Sequence, residues 1–430
     1  MRKKILILYG LSILLGLLVG IIGSLLQLSI NGLTSTLRAW FDFWQGYGVP
    51  IVVSSALSSM ILVYIAWLLV KWGASEASGS GVQEIEGTLL HQRPIFWRRL
   101  LPVKFIGGML AISAKMVLGR EGPTIQIGGN LGEMLGEWFR MNRKRRDTLI
   151  AAGAAAGLAA AFNAPLAGVL FVLEEMRNEF NFSFTNFKSV AIATVFSTIA
   201  SDLIIGAKPA ISMEIFNFPP LQQLIYFFIF GIIVGFAGLL FNSSLMKSLS
   251  IMDKLSPRFH DVFVLMVGLL VGSLAVYYPE TVGGGYEIIE RALTITPATT
   301  FLAIVLVVRF IATLLSYNTA VPGGFFAPML AMGTLMGTVC SVFFSWLDPT
   351  INPGMFAVAG MGALFSAAVR APITGIILVV EMTQNYFLIL PLMITCLTST
   401  TVVQLAKNAP IYTQLLHRTL RREGINSVGG

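Results

Sequence analysis

The sequence predicts an all-α integral membrane protein made of two inverted-topology helical repeats, and three observations lead to that fold class. The 430 residues are 55% hydrophobic and 12% charged, whereas soluble proteins carry about 25% charged residues. Mean hydropathy is +0.79, and apolar runs long enough to cross about 30 Å of hydrocarbon recur along the chain. The third observation is an internal repeat. This composition argues against a cytosolic enzyme, a nucleic-acid-binding protein and a disulfide scaffold.

The first apolar run, residues 5–30, follows a basic N-terminus and is too long for the core of a signal peptide. We expect it to form a retained first helix that starts in the cytoplasm. Basic loops at 91–104, 140–146, 247–258 and 405–422 predict cytoplasmic segments by the positive-inside rule. Further candidate spans, several too short or too glycine-rich to cross simply, are residues 50–70, 101–118, 150–173, 188–206, 221–246, 261–278, 299–317, 326–346, 354–382 and 386–406.

The internal repeat is clearest between residues 153–168 and 360–375, and it continues to Glu174 and Glu381 at a constant offset of 207. Any one match could be a coincidence between apolar, glycine-rich helices, but weaker anchors keep the same order. These anchors pair Gly16, Gly20 and Gly23 with Gly231, Gly235 and Gly238, residues 79–81 with 283–285, and residues 119–123 with 324–328. The sequence therefore predicts two structurally equivalent halves.

The basic clusters predict that the halves are inverted. One cluster, residues 2–4, precedes the first helix of half one, whereas another, 247–258, follows the first helix of half two. Inverted repeats with interrupted helices are typical of transporters. We expect a first membrane repeat over 1–215, a second over 216–406, and a short cytoplasmic C-terminal segment over 407–430 with no soluble regulatory domain.

Three of the paired segments combine a glycine-rich break with residues that can start a helix: 79–81, 119–123 and 323–328. Glycine permits the turn, and proline suits the first helical turn. A helix that begins inside the membrane presents free N–H groups and a positive dipole end, and both favour an anion. Each motif alone is equally typical of helix packing, but together they predict broken helices that meet at a midplane anion site.

Glu121 is a carboxylate within the second of these breaks. The positive end of a helix dipole stabilises an ionised carboxylate as it stabilises a bound anion. The ionised side chain can therefore occupy the anion site, and the protonated side chain can move aside. A salt bridge to Arg120 or Lys115 is the alternative interpretation.

The sequence predicts no metal or cofactor, because it contains no HExxH, CxxC or histidine cluster. An intramembrane enzyme is disfavoured as well, since no GxSxG segment and no membrane-embedded histidine beside a serine are found. We therefore expect the protein not to be an enzyme.

Residues 79–86 (GSGVQEIE), 119–123 (GREGP), 324–328 (GFFAP) and Tyr412 resemble the signature segments of the ClC family of chloride channels and transporters. The resemblance covers almost the whole chain and implies a ClC-type fold. Three further segments resemble bacterial members: 101–104, 153–176 and 360–382.

The resemblance implies chloride as the bound substrate. Ser80 and Tyr412 would offer hydroxyls, and such neutral donors hold an ion without trapping it. From the residues alone, a helix cap for Ser80 and an interfacial aromatic for Tyr412 would be preferred. In the family, serine at the Ser80 position accompanies chloride preference. The implied chloride-binding residues are Ser80, Arg120, Gly122, Phe325, Phe326 and Tyr412.

The resemblance also implies proton-handling roles, with Glu121 as external gate and proton acceptor and Glu175 as the internal proton-transfer residue. Channel members commonly lack a carboxylate at the latter position, so Glu175 favours a chloride/proton exchanger over the alternative, a passive gated chloride channel. An ordinary charge at a cytoplasm-facing helix end is the other interpretation of Glu175. Glu174 and Glu381 are repeat partners, and we expect them to bond backbone groups symmetrically.

Three positions depart from the family pattern. Gln83 replaces a common proline, and Phe325 replaces a smaller aliphatic residue whose contact would be through its backbone. Lys115 stands where relatives have small residues, and it either lies near Glu121 or extends to water.

Family members are homodimers, so the resemblance implies a homodimer here, with an interface formed by residues 190–205 and 387–400. It also implies a multi-pass protein of the bacterial inner membrane with both termini in the cytoplasm. The expected partners are chloride, protons and the lipid bilayer, without nucleic acid.

Overall fold

The computed structural model describes residues 2–176, 183–294 and 298–424, so the end of the predicted segment 407–430 lies outside the described residues. In these ranges the chain forms α-helices and short 3₁₀ turns, with two isolated β-bridges and no strand. The all-α prediction is confirmed. The helices are α1 (Arg2–Gly46), α2 (Ile51–Trp72), α3 (Val82–Leu89), α4 (Trp97–Ser113), α5 (Glu121–Trp138), α6 (Arg143–Phe162), α7 (Pro165–Glu175), α8 (Phe184–Ile205), α9 (Leu224–Met252), α10 (Pro257–Tyr277), α11 (Tyr286–Thr294), α12 (Thr299–Asn318), α13 (Phe326–Ser345), α14 (Pro353–Val369), α15 (Pro372–Thr383), α16 (Ile389–Leu405) and α17 (Ile411–Arg422).

Within the described ranges, eight helices are long and apolar enough to cross a membrane: α1, α2, α8, α9, α10, α12, α13 and α16. Large apolar side chains such as Ile61, Phe236 and Ile304 stand exposed on these helices. Exposed apolar surface on this scale suits hydrocarbon and not water. The protein is therefore a multi-pass integral membrane protein.

The two halves pack in the same way. Helix α1 lies along α8 in the first half, as α9 lies along α16 in the second. Gly23 of α1 faces Ala160, and its repeat partner Gly238 faces Ala367, so the contacted alanines keep the offset of 207. This correspondence supports the predicted glycine anchors.

A second equivalent pair places α5 against α6 and α13 against α14. Gly128 meets the backbone of Gly153, and Gly333 meets the backbone of Gly360. Glycine at both sides of a crossing lets two helix backbones approach closely. These crossings hold α5 and α13, the helices that begin at the second and third glycine-rich breaks.

Two predicted spans were wrong as single segments. Residues 150–173 comprise α6 and α7, and residues 354–382 comprise α14 and α15. The first helix of each pair ends at a residue in the left-handed conformation, Asn163 (φ 54°) and Arg370 (φ 64°). The next helix then begins at Pro165 or Pro372, so both halves contain the same break.

Candidate functional site

Backbone hydrogen bonds join the three glycine-rich breaks. The N–H of Gly79 donates to Val321 O (3.1 Å), and the N–H of Gly323 donates back to Gly79 O (3.0 Å). Gly119 and Gly324 exchange N–H···O bonds of 2.6 and 2.9 Å. Segments more than 200 residues apart in sequence therefore meet at one centre.

Three helices start from this centre, as the sequence predicts: α3 at Val82, α5 at Glu121 and α13 at Phe326. The first N–H groups of a helix have no partner within it, and its dipole is positive at that end. Gln83 leaves the turn intact, because α3 still begins directly after Gly81 in the left-handed conformation (φ 86°). The centre therefore suits an anion.

Ser80 and Tyr412 bring two hydroxyl groups to the centre. Both residues are fully buried, their hydroxyls lie close together, and neither hydroxyl makes a hydrogen bond. A buried polar group without a partner costs about 1–3 kcal/mol. An anion that accepted from both hydroxyls would remove that penalty.

Aromatic packing fixes Tyr412 in place. Its ring stacks on Phe325 at 5.4 Å with an interplanar angle of 18°, and Tyr317 contacts the same Phe325 ring at 5.1 Å. The N–H of Ser80 points at the Tyr317 hydroxyl (3.5 Å). The Phe325 side chain thus supports Tyr412, and α13 begins at the following residue, Phe326.

Gly122 packs directly against Ser80, so a Cβ there would collide with the serine. Arg120 behaves differently from the other predicted chloride-binding residues. Its Nη2 donates to Ala161 O of α6 (3.1 Å), so its guanidinium is directed toward α6 and not toward Ser80. We place Arg120 at the mouth of the site.

Glu121 is fully buried at the first position of α5. Its Oε1 accepts a hydrogen bond from the Tyr286 hydroxyl (2.8 Å). Its Oε2 lies beside Ala327 on the first turn of α13. The carboxylate therefore sits where a helix N-terminus favours an anion.

Lys115 is not a partner of this carboxylate. Its Nζ pairs with Glu287 (3.6 Å), and the lysine side chain is one-third exposed. Of the two predicted alternatives for this cation, extension to water describes it better.

Sequence reasoning did not identify Tyr286 as a site residue. The repeat contained a signal, because residues 283–285 pair with 79–81, and Tyr286 follows them at the start of α11. It also missed two buried cations. Lys104 of α4 donates to Ala77 O (2.9 Å) and Gly79 O (2.7 Å). Arg309 of α12 donates to the carbonyls of residues 280, 282 and 283.

The predicted symmetry of Glu174 and Glu381 is present. Glu174, near the end of α7, accepts from the N–H groups of Ile373 (3.0 Å) and Thr374 (2.6 Å) at the start of α15. Glu381 near the end of α15 accepts from residues 166 (3.1 Å) and 167 (2.8 Å) at the start of α7. Each glutamate caps the other's helix.

Glu175 takes no part in this exchange of caps. It is the last residue of α7, it is buried, and it lies within electrostatic reach of Tyr412. Among the described residues, no group of three or more His, Cys, Asp or Glu side chains could hold a metal ion.

Two cavities adjoin the centre. The gate cavity, of about 400 Å³, is lined by Arg120, Glu121 and Tyr286. The basic cavity, of about 550 Å³, extends to Gln83 and Tyr317, next to Ser80. Its lining includes three arginines and the carboxylates that pair with them: Arg93 with Glu84 and Glu423, and Arg418 and Arg422 with Asp253. The Ser80 centre thus adjoins Glu121 of the gate cavity and Tyr317 of the basic cavity.

Comparisons with known proteins place this geometry in a family. The family model described as voltage gated chloride channel matches residues 62–404. The "H(+)/Cl(-) exchange transporter ClcA" of Vibrio parahaemolyticus is 43% identical over 95% of this chain and 89% of its own. The transporter of the same name from Salmonella paratyphi B is 46% identical over 85% of this chain and 78% of its own.

A solved structure, described as that of a slow cyanobacterial Cl-/H+ antiporter, superposes with a TM-score of 0.92 at 38% identity, covering 96% of this chain and 98% of that one. A eukaryotic CLC transporter superposes with a TM-score of 0.79 at 22% identity, over 96% of this chain and 75% of that one, which compares the fold alone. The two inverted repeats, their broken helices and these matches lead to one conclusion: the chain belongs to the voltage gated chloride channel (ClC) family.

Proposed function

We propose that the protein is a secondary active transporter that exchanges chloride for protons. The observation that carries this proposal is the position of Glu121, a buried carboxylate at the N-termini of α5 and α13 and beside the Ser80 centre. A titratable anion there competes with a transported anion for the same helix ends. The proposal is also supported by two relatives that are named as H(+)/Cl(-) exchange transporters.

Chloride binding would use the buried hydroxyls of Ser80 and Tyr412 and the backbone N–H groups of Phe325 and Phe326 at the start of α13. None of these donors carries a full charge, so the ion is stabilised but can leave. The lining of the basic cavity contains Lys71 and three arginines against three carboxylates, and this small excess of positive charge would favour chloride at one entrance.

Proton coupling would follow from competition at Glu121. While ionised, its carboxylate blocks the path between the two cavities; when a proton neutralises it, the helix ends no longer hold it and chloride can pass. Glu175 would supply the proton from the other side of Tyr412. Chloride then moves one way only as protons move the other.

The test uses purified protein in chloride-loaded vesicles at clamped voltage, with external chloride and pH recorded together. We expect chloride efflux with proton uptake in the native protein, chloride efflux without proton uptake in Glu175→Ala, and proton-independent chloride flux in Glu121→Gln. Chloride efflux with no pH change in the native protein would instead indicate a passive gated channel. Normal proton coupling in Glu121→Gln would overturn the gating role.

We also propose that the protein is a homodimer in the bacterial inner membrane, with both termini in the cytoplasm. The two membrane repeats would span 1–215 and 216–406, and the segment 407–430 would follow them. Exposed apolar side chains on the predicted interface support the dimer, including Ile199 of α8 and Leu397 of α16. Cross-linking of Ile199→Cys protein in membranes, with Ile304→Cys as the lipid-facing control, would test it. Equal cross-linking of both variants would contradict that interface.

A further inference from the structure

A side chain from the second half, Tyr286, contacts the carboxylate of Glu121. The hydroxyl of Tyr286 donates to Glu121 Oε1 at 2.8 Å, and Tyr286 lines the gate cavity together with that glutamate. A hydrogen bond to an ionised carboxylate is stronger than one to its neutral form. The contact therefore favours the buried, ionised glutamate.

The backbone that carries Tyr286 is anchored on three sides. The N–H of Gly283 donates to Lys115 O (2.9 Å), which ties this segment to the loop that precedes Glu121. Arg309 holds the carbonyl of Gly283 at 2.7 Å, and Lys115 pairs with Glu287, the residue after Tyr286. The phenol is thus held in position and is not a chance contact of a mobile loop.

The repeat offers no packing reason for a tyrosine at this position. The equivalent residue of half one is Val82, which also begins a helix directly after a left-handed glycine. Gly285 before Tyr286 has the same conformation (φ 102°). The backbone conformation is common to both halves. Only half two carries a hydroxyl at this position, and that hydroxyl contacts Glu121 of half one.

We infer that Tyr286 is a positioning residue that holds Glu121 in its blocking position and so sets the pH at which chloride transport begins. This inference rests on the proposed function. Other charged or titratable groups around Glu121 are Arg120 beside it, Asp202 and Lys208 across the gate cavity, and Tyr412 at the centre. None of these four donates a hydrogen bond to Glu121 within the described residues.

The test is the pH profile of chloride flux in Tyr286→Phe vesicles, with Tyr278→Phe as the control. Tyr278 is exposed just beyond the end of α10, so its hydroxyl can be removed without touching the site. We expect the half-maximal pH of flux to rise by about one unit in Tyr286→Phe, because a charge-assisted hydrogen bond to the ionised glutamate is lost. The control should keep the native profile.

The Glu121→Gln background separates a positioning role from a merely structural one. Adding Tyr286→Phe to it should change neither the flux nor its pH dependence, whereas a structural role would lower flux in that background too. If Glu121→Gln leaves pH dependence and proton coupling intact, the proposed function fails. If Glu121→Gln removes pH dependence but Tyr286→Phe alone keeps the native midpoint, only the inference about Tyr286 is overturned.

Discussion

The two halves of the molecule build the same turn and use it differently. In half one, buried Lys104 holds the carbonyls of residues 77 and 79 before α3. In half two, buried Arg309 holds the carbonyls of residues 280, 282 and 283 before α11. Lys104 and Arg309 are separated by 205 residues, the separation that also relates Gly119 and Gly324.

The difference lies in the side chains that the turns present. Half one places the Ser80 hydroxyl at the centre, without a hydrogen bond. Half two has Gly284 at the equivalent position and places its polar group two residues later, on Tyr286, against Glu121. A shared backbone scaffold thus supports an anion-binding residue in one half and a gate-positioning residue in the other.

The largest expected effect comes from removing the buried cations. Lys104→Met and Arg309→Met each remove two or more hydrogen bonds from a buried cation to backbone carbonyls, and we expect a loss of stability on the order of 3 kcal/mol. Thermal melting of the purified variants in detergent measures this loss. Lys71→Met is the control, because Lys71 is partly exposed in an ion pair with Asp261 worth at most about 1 kcal/mol.

Lys104→Met and Arg309→Met should differ in their functional effects. Lys104 lies behind Ser80, so Lys104→Met should weaken chloride binding, measured by isothermal calorimetry. Arg309 lies behind Tyr286, so Arg309→Met should move the pH profile of flux. Variants that melt like the native protein would show that the cations do not brace the turns.

A smaller effect is expected at the crossed helix caps. Glu174→Gln and Glu381→Gln each weaken two charge-assisted bonds, so we expect a loss of about 1–3 kcal/mol each. The loss should be greater for Glu174, because the hydroxyl of Thr374 also donates to it (2.7 Å). In a Thr374→Ala background the two substitutions should melt alike; a persistent difference would mean that the caps are not equivalent.

The sequence predicted much of this arrangement because repeats and glycine-rich breaks are local signals. The starts of α5 and α13 follow from residues 119–123 and 323–328. The breaks at Asn163 and Arg370 were missed, because neither is a glycine and both lie within continuous apolar stretches. A left-handed residue at a helix end is usually glycine, and these two are exceptions.

Contacts between residues far apart in the chain could not be predicted from sequence patterns. Tyr286 and Glu121 are 165 residues apart, and no periodicity joins a tyrosine to a distant carboxylate. Lys104 lies in a segment recognised only by its family resemblance, and a lysine near a membrane helix end usually extends to water. Its actual partners are carbonyls of a turn 25 and 27 residues earlier, which only the packed structure brings close.

The smallest effect should come from Gly284→Ser, which gives half two the hydroxyl of half one. Gly284 does not have a positive φ, and a Cβ there would have its nearest neighbour, Leu118 O, at 3.6 Å. We expect stability to change by less than about 0.5 kcal/mol, as for a tolerated surface change, and the preference for chloride over nitrate in flux assays to stay native. The introduced side chain would lie beside the Tyr286 ring (3.8 Å), whereas Ser80 lies beside Tyr412. Ser80→Ala, by contrast, should weaken chloride binding measurably. If Gly284→Ser alters anion preference as strongly as Ser80→Ala does, then the turn itself, and not its place between α5 and α13, determines where an anion binds.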